Sequence, residues 1–265
     1  NMTMKTAENV HERKDTPVEI VQSLVKGLVI IQAFNEQQPM MTLSEVANST
    51  GFSRAASRRF LLTLVAEGYA NKEGNLFSLT AKILDLGFSY LSTQNIWQFG
   101  KPLMQQLVEQ LNDSCSAAVL EGNDVVYVAR VATTTRIMSI GLNVGTRLPA
   151  FATSLGRVLL AELTDSALNN FLNHCEIQQY TDHTSTDIPE LVTLIKQVKK
   201  QGYSIVDEEL EIGLTSVAVP VHDNRGNVVA ALSISTHASQ MDTQHRLLTI
   251  LPALQLCADK IALGH

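Results

Sequence analysis

The chain has 265 residues, of which 45% are hydrophobic and 17% are charged, and its formal net charge is −6. This length allows one large domain or two ordinary ones, and the negative charge argues against a nonspecific nucleic-acid binder, which would be strongly basic. No apolar run approaches the length of a bilayer and no signal peptide is evident, so we expect a cytoplasmic protein without a membrane partner. The three widely spaced cysteines indicate neither a disulfide framework nor a zinc site.

The first predicted elements are three short helices. Residues 1–17 are polar without an apolar period, and we interpret them as a flexible arm. Apolar residues at helical spacing predict a first helix over residues 18–34. Thr42 then caps a second helix, with Glu45 completing a capping box, and a polar turn leads to a third helix with Ser53 as its N-cap candidate. Two helices around such a turn are typical of a helix-turn-helix.

The third predicted helix is cationic at its beginning and apolar only from Phe60 onward. A recognition helix needs this arrangement, because its N-terminal residues enter the major groove while its C-terminal half packs on the domain. Arginine can bind guanine with two parallel hydrogen bonds, and serine can bind a phosphate or a base edge. The alternative is an ordinary amphipathic helical hairpin with a solvated basic face. The candidate DNA contacts are Thr42, Ser44, Ser53, Arg54, Ser57, Arg58, Arg59 and Lys72.

Residues 69–71 and 76–79 predict two strands around a Lys-Glu-Gly-Asn turn. A hairpin directly after a recognition helix is a wing, so residues 18–79 predict a winged helix-turn-helix that binds DNA. Residues 80–96 predict a linker, with a helix from Thr80 to about residue 91 that is apolar on more than one face. We expect this helix to pack against another subunit, and the alternative is that it packs on its own wing.

Residues 97–265 predict an effector-binding α+β domain with an antiparallel sheet, because strands lie first and last with helices between them. Acids and bases almost cancel up to residue 79, so the negative charge belongs to this domain and indicates a separate task. The predicted strands are residues 114–120, 125–131, 136–142, 203–206, 216–222 and 228–236. The predicted helices are residues 98–111, 154–162, 164–174, 188–201 and 242–263, the last bent at Pro252. Residues 143–149 are predicted to be a loop.

Four ordered blocks of the sequence resemble the IclR family of bacterial transcription regulators. They are VQSLVKGLVIIQAF, LSEVANSTGFSRAASRRFLLTLVAEGYA, VGTRLPAFATSLGRVLLA and GYSIVDEELEIGLTSVAVPVHDNRGNVVAALSIS. Two stretches, SRAASRRFLLTLVAEGY and RIMSIGLNVGTRLPAFATSLGRVLLA, look most like the PcaR/PcaU subgroup that controls the β-ketoadipate pathway. The resemblance implies an N-terminal winged helix, a linker helix and a GAF-like C-terminal domain. It also implies operator DNA as a partner, homodimers that in some members associate into tetramers, and an effector such as protocatechuate or β-ketoadipate.

The resemblance also implies which residues contact the effector. It points to Ser154 and Leu155 at a helix start, to Ser216 on one strand, and to Ser233 and Ser235 on another. The residue pattern agrees in part, because the N–H groups at a helix start suit a carboxylate and residues two apart on a strand share a face.

Two arginines and one valine refine the predicted effector site. Arg136, at the start of a strand and followed by Met138, is the candidate partner of the effector carboxylate. The alternative for Arg136 is a structural salt bridge or a subunit contact, which we favour for Arg147. The sequence departs from glyoxylate-responsive members of the family at Val206, where they carry an acidic residue, and this favours a less polar effector.

The competing class of protein is a small-acid-metabolising enzyme fused to a helix-turn-helix. A hydrolase could draw on Ser154, His222, His237 and the acids at positions 207–209. The sequence contains no Gly-x-Ser-x-Gly elbow, no HExxH and no Gly-rich phosphate loop, and its histidines lack metal-ligand spacing. We therefore expect no catalytic residues, metal or cofactor, and we interpret the acidic run at 207–211 as a solvated edge.

Overall fold

The computed structural model describes residues 19–133, 141–240 and 242–264. The chain forms two compact units, residues 1–89 and 90–265. The first has a three-stranded sheet and the second a six-stranded sheet. Within the described ranges no helix is both long and apolar enough to cross a membrane. The predicted arm, residues 1–17, lies outside the described residues.

The first unit consists of three helices and a small antiparallel sheet. Its elements are α1 (Gln22–Ala33), β1 (Met40–Thr42), α2 (Leu43–Thr50), α3 (Arg54–Ala66), β2 (Ala70–Glu73) and β3 (Leu76–Leu79). The sheet order is β1-β3-β2, so β2 and β3 form the predicted wing. Strand β1 was not predicted, because three residues are too few to show an alternating pattern; Met41 is nevertheless buried in the core with Ile30, Val46, Leu61 and Phe77.

Side-chain caps fix the two helices of the helix-turn-helix. The Thr42 hydroxyl accepts a hydrogen bond from the Glu45 N–H at 3.3 Å, and the Glu45 carboxylate accepts one from the Thr42 N–H at 2.7 Å. The bond that the Thr42 N–H donates to this carboxylate, with a smaller contribution from the Thr42 hydroxyl, lowers the pKa of Glu45. Gly51 ends α2 in the left-handed conformation with φ 73°, and the Ser53 hydroxyl caps α3. The predicted capping box and N-cap are confirmed.

The helix predicted to begin at Thr80 starts later than expected. The Thr80 hydroxyl does not cap it but donates to the Gly68 carbonyl at 2.5 Å. A 3₁₀ turn over Ala81–Ile83 follows, and α4 spans Leu84–Leu91. Thr80 therefore joins the wing to the end of the recognition helix, and its side chain is no longer available as a cap.

The second unit is a six-stranded antiparallel sheet with helices on both faces. Its elements are α5 (Asn95–Leu111), β4 (Ser114–Glu121), β5 (Asp124–Val131), β6 (Arg147–Pro149), α6 (Ser154–Leu160), α7 (Asp165–His174), α8 (Ile188–Gln201), β7 (Ser204–Asp207), β8 (Leu214–His222), β9 (Val228–His237), α9 (Thr243–His245) and α10 (Leu251–Leu263). The order β6-β5-β4-β9-β8-β7 brings the last long strand beside the first. This sheet confirms the predicted α+β class.

Each face of the large sheet has its own hydrophobic core. One core lies against α5 and α10 and contains Leu232 and Ile234 of β9. The other lies against α6, α7 and α8 and contains Phe151 and Leu160. Because successive side chains of a strand point to opposite faces, Ser233 lies on the second face. Alternation along β9 therefore places a polar residue on the side of α6.

Two sequence expectations for this unit are corrected. Residues 143–149, predicted to be a loop, include β6, whose Pro149 pairs with Asp124 of β5. The predicted C-terminal helix is interrupted by a π-helical turn over Arg246–Ile250, just before Pro252. Proline has no N–H for the helical ladder, so the preceding turn widens to the longer hydrogen-bond spacing.

Candidate DNA-binding surface and effector pocket

The beginning of α3 presents its arginines to solvent. Arg54 and Arg58 lie four residues apart, one turn along the same side of the helix, and both are exposed. Arg54 donates a hydrogen bond to the hydroxyl of Ser44 on α2. None of Arg54, Arg58 and Arg59 forms a salt bridge with a residue in the described ranges. Their guanidinium charges are therefore available to an anionic partner.

Ser57 does not belong to this surface, which corrects the prediction for this residue. Its side chain is fully buried, with 0% exposure, and its hydroxyl has no hydrogen-bond partner among the described residues. The physical reason is helical spacing, because Ser57 lies four residues before the core residue Leu61 on the inward side of α3. A hydroxyl in this place cannot reach a base edge.

The remaining candidate DNA contacts surround the exposed side of α3. Lys72 is exposed on the wing, with its Nζ 5.9 Å from the centre of the Phe77 ring. The hydroxyls of Thr42 and Ser53 both accept helix-capping bonds, and that of Ser53 keeps its hydrogen to donate to a phosphate. The roles of these residues in DNA binding stay predictions.

The second unit contains a small cavity between α6 and the sheet. Its open volume is about 30 Å³, which is small beside the roughly 150 Å³ of an engineered cavity that admits benzene. The residues that line it are Tyr127, Leu148, Ala152, Thr153, Ser154, Leu155, Val206, Leu210, Leu214, Ser216, Ser233 and Ser235. The structure thus brings together all five predicted effector contacts that it describes. Arg136 and Met138 lie outside the described residues.

Ser154 and Ser216 close the middle of the cavity. Their hydroxyl oxygens are 2.7 Å apart, so a hydrogen bond joins the start of α6 to β8. The hydroxyl of Thr153 accepts the N–H of Gly156 at 3.1 Å. One of the N–H groups that the sequence assigned to a carboxylate is therefore already satisfied within the chain, which corrects that part of the prediction.

The apolar wall of the cavity was not predicted from the sequence. Leu148 and Leu214 come from β6 and β8, and Leu210 comes from the irregular segment after β7. Tyr127 of β5 lies on the same wall and is buried. Strand alternation could have indicated Tyr127, whereas Leu210 lies in a segment without a period and carries no such signal.

The segment of residues 208–213, which we call the cover segment, is held by a buried ion pair. The guanidinium of Arg157 on α6 donates two hydrogen bonds to the Glu209 carboxylate, both of 2.7 Å, and a third to the Phe151 carbonyl at 2.9 Å. The side chains of Arg157 and Glu209 are 3% and 12% exposed. This bidentate geometry ties the helix at one side of the cavity to the segment at the other.

Further hydrogen bonds hold the same segment from the loop before α8. Thr181 and Thr184 donate through their hydroxyls to the carbonyls of Glu208 and Glu209 at 2.6 and 2.5 Å. Asp207, just before the cover segment, pairs with Arg246 at 3.0 Å. The acidic run at 207–211 was interpreted as a solvated edge, and this was wrong, because its carboxylates and carbonyls have partners within the unit.

Gly156 permits the close packing of α6. A methyl group at its Cα would lie 1.9 Å from the Ala150 carbonyl oxygen. We expect Gly156→Ala to lower the free energy of unfolding by about 1–3 kcal/mol or more, because the backbone around the cavity must shift. Thermal unfolding of the full chain would measure this. Gly141→Ala in the same unit is the control, since its added methyl meets nothing within 4 Å; equal losses in both variants would contradict the packing argument.

Two of the side chains considered for an enzyme have partners within the unit. The Ser154 hydroxyl is bonded to Ser216, and Glu209 is engaged by Arg157. Burial raises the pKa of the Cys257 thiol to about 11, so this thiol is protonated at neutral pH. The described part of the chain offers no group of three His, Cys, Asp or Glu residues placed to hold a metal ion.

Comparison with known families identifies both units. Residues 23–74 match the model of the IclR helix-turn-helix domain, and residues 88–263 match the C-terminal domain of bacterial transcriptional regulators of the IclR type. The chain belongs to the IclR family. This IclR-family protein is therefore a transcription regulator with a helix-turn-helix, and its named relatives are regulators rather than enzymes.

Individual relatives extend over most of the chain. The Pca regulon regulatory protein of Pseudomonas putida is 42% identical over 87% of this IclR-family chain and 80% of its own length. The p-hydroxybenzoate hydroxylase transcriptional activator of Acinetobacter baylyi is 31% identical over 91% of this chain and 90% of its own. A putative transcriptional regulator from Rhodococcus sp. RHA1, RHA06195, has a crystal structure that superposes with a TM-score of 0.83 at 42% identity, covering 92% of this chain and 98% of that one.

Proposed function

We propose that this regulator controls genes of aromatic-acid catabolism, and that a small aromatic acid such as protocatechuate binds in the cavity and alters operator binding. The observation that carries the proposal is the composition of the cavity, where four serines and a threonine lie among aliphatic side chains and one tyrosine. Such a lining suits an apolar ring with a few polar substituents. The names of the Pca regulator and the p-hydroxybenzoate hydroxylase activator support the same class of effector.

The first unit is the operator-binding half in this proposal. Residues 18–79 bind DNA, residues 97–265 bind the effector, and residues 80–96 form the linker between these two domains. Two copies insert the exposed Arg54 and Arg58 side of α3 into successive major grooves of a pseudo-palindromic site. The other candidates in the unit (Thr42, Ser44, Ser53, Arg59 and Lys72) serve as phosphate contacts that position the helix. The cytoplasm, where chromosomal DNA is accessible, is the compartment this function requires.

The apolar side chains that the first unit leaves in solvent support a homodimer. They belong to the segment before and within α1 and to α4: Ile20, Val21, Leu24, Val25, Leu28, Leu84, Leu86 and Phe88. Contiguous exposed apolar surface of this kind marks a protein–protein interface. We therefore propose pairing through α1 and α4, and further association into tetramers through the second unit. Sedimentation equilibrium of the wild type and of Leu24→Glu tests the pairing, which fails if the variant keeps the wild-type mass.

A thermal-shift screen tests the effector class on the full chain. A ligand that binds only the folded state stabilises it in proportion to the logarithm of its concentration over its dissociation constant. The probes are protocatechuate, 4-hydroxybenzoate, β-ketoadipate and glyoxylate. We expect stabilisation by the aromatic acids that rises with the logarithm of their concentration, and a smaller effect of glyoxylate. Stabilisation by glyoxylate alone would contradict the proposal.

Replacing Ser233 by alanine is expected to weaken effector binding about 3- to 10-fold, because a neutral hydrogen bond contributes roughly 0.5–1.5 kcal/mol. Calorimetric titration of the two proteins with protocatechuate measures the change. Ser204→Ala is the matched control, since Ser204 is buried in the same sheet but does not line the cavity, and its hydroxyl has no partner among the described residues. Equal affinities in all three proteins would remove Ser233 from the site.

A further inference from the structure

Arg130 of β5 lies on the face of the sheet that carries the effector cavity. It pairs across the strands with Ser116 of β4, and Ser116 pairs in turn with Ser233 of β9. Directly opposed residues in antiparallel strands point to the same face. Because Ser233 lines the cavity, the side chains of Arg130 and Ser116 lie on that face as well, beside the polar end of the cavity.

This arginine has no carboxylate partner in the ranges that the structure describes. Its Nη1 donates to the Ser116 hydroxyl at 2.8 Å, and its Nε is buried without a hydrogen-bond partner there. The two buried arginines of the unit, Arg157 and Arg246, are each paired with a carboxylate, of Glu209 and Asp207, although the Nε of Arg246 also lacks a partner among the described residues. A half-buried guanidinium with an unused donor is costly, and an anion that supplies two oxygens removes this cost.

Tyr127 connects this arginine to the cavity. Its ring lines the cavity, and the Ser116 hydroxyl and the Arg130 guanidinium both lie close enough to influence its phenol. Burial raises the pKa of Tyr127, so the phenol stays neutral and can donate a hydrogen bond. Burial lowers the pKa of Arg130, but a guanidinium keeps its charge at neutral pH in spite of such a shift.

We propose that Arg130 is the group that binds the carboxylate of the effector, with Nε and a terminal nitrogen as its two donors. The effector ring then lies against the apolar wall formed by Leu148, Leu155, Val206 and Leu210. This assignment rests on the proposed function and makes it more specific. Arg130 is not itself among the cavity-lining residues and adjoins them through Ser116 and Tyr127, and none of the lining residues carries a charge. A monocarboxylate with an apolar body is therefore favoured over a dicarboxylate whose second charge would be buried on the apolar wall.

The test compares an acid with its neutral amide on the same protein. The ligands are protocatechuate (3,4-dihydroxybenzoate) and its neutral amide, 3,4-dihydroxybenzamide. Each is titrated calorimetrically into the wild type and into Arg130→Gln. Glutamine lacks the charge but keeps a side-chain N–H donor. We expect Arg130→Gln to weaken acid binding about 10- to 100-fold while amide binding changes little, so the preference for the acid disappears. Arg225→Gln, in the exposed turn between β8 and β9, is the control and should keep the wild-type preference.

Three outcomes overturn the assignment. Unchanged acid binding in Arg130→Gln would exclude Arg130 as the anchor, and equal losses for acid and amide would assign it a purely structural role. Absence of any acid binding to the wild type would contradict the proposed function itself. Thermal unfolding without ligand establishes that each variant folds. Should Arg130→Gln fail to fold, Arg130→Lys must still lower the acid-to-amide ratio at least about 3-fold, because an ammonium group lacks the planar fork.

Discussion

Replacing Arg58 by alanine is expected to abolish specific operator binding at concentrations that saturate the wild type. A bidentate arginine–guanine contact contributes about 1–3 kcal/mol, so a dimer that loses two of them loses roughly 2–6 kcal/mol. Arg58 is exposed and lies one turn after Arg54. It forms no salt bridge with a described residue, so no ion pair gives it a role in the stability of the fold. Fluorescence anisotropy with labelled operator DNA, at a fixed salt concentration, measures the loss.

Two controls separate recognition from folding in this experiment. Arg225→Ala removes an exposed arginine from the second unit and should leave operator affinity unchanged. Arg58→Ala should bind protocatechuate as the wild type does, since the substitution lies in the other compact unit. Wild-type operator affinity in Arg58→Ala would contradict the recognition role of this side of α3.

Replacing Glu209 by glutamine is expected to lower the free energy of unfolding of the second unit by about 3–5 kcal/mol, because it leaves the Arg157 charge buried without its partner. Both side chains are almost completely enclosed, and Arg157 donates two hydrogen bonds of 2.7 Å to this carboxylate. Urea denaturation followed by the fluorescence of Trp97, the chain's single tryptophan, reports on this unit, since Trp97 lies in its core.

The matched control for this ion pair is an exposed one on the same unit. Glu162→Gln breaks the pair with Lys199, whose side chain is 58% exposed, and exposed pairs contribute only about 0–1 kcal/mol. If Glu209→Gln and Glu162→Gln shift the urea midpoint equally, the pair between α6 and the cover segment does not have the stabilising role assigned to it.

The local parts of the fold could be predicted from the sequence, because they depend on neighbouring residues. The capping box at Thr42 and the N-cap at Ser53 use residues three apart, and both are present. The prediction that Ser233 and Ser235 share one face of β9 depends only on strand alternation, and both residues line the cavity. The short strands β1 and β6 could not be predicted, because three residues carry no period and their pairing is decided by distant partners.

Long-range side-chain partners could not be predicted either. Arg157 and Glu209 are 52 residues apart in the chain, and neither sequence neighbourhood indicates the other. Ser57 was placed on the DNA-binding side from its neighbours, whereas the rotation of α3 about its axis, set by Leu61 in the core, turns it inward. Arg130 carries no motif, and only the strand register places it on the face of the cavity.

The small volume of the cavity has a consequence for the kinetics of the response. A space of about 30 Å³ does not admit an aromatic ring, so the effector domain has to open before it can receive one. The free energy of that opening reduces the binding free energy that is observed. The fraction of molecules in the open state also limits the rate of effector binding. The hydrogen bond between Ser154 and Ser216, together with the anchored cover segment, therefore sets a threshold. Under the proposed function, the concentration of the acid must exceed this threshold before operator binding changes.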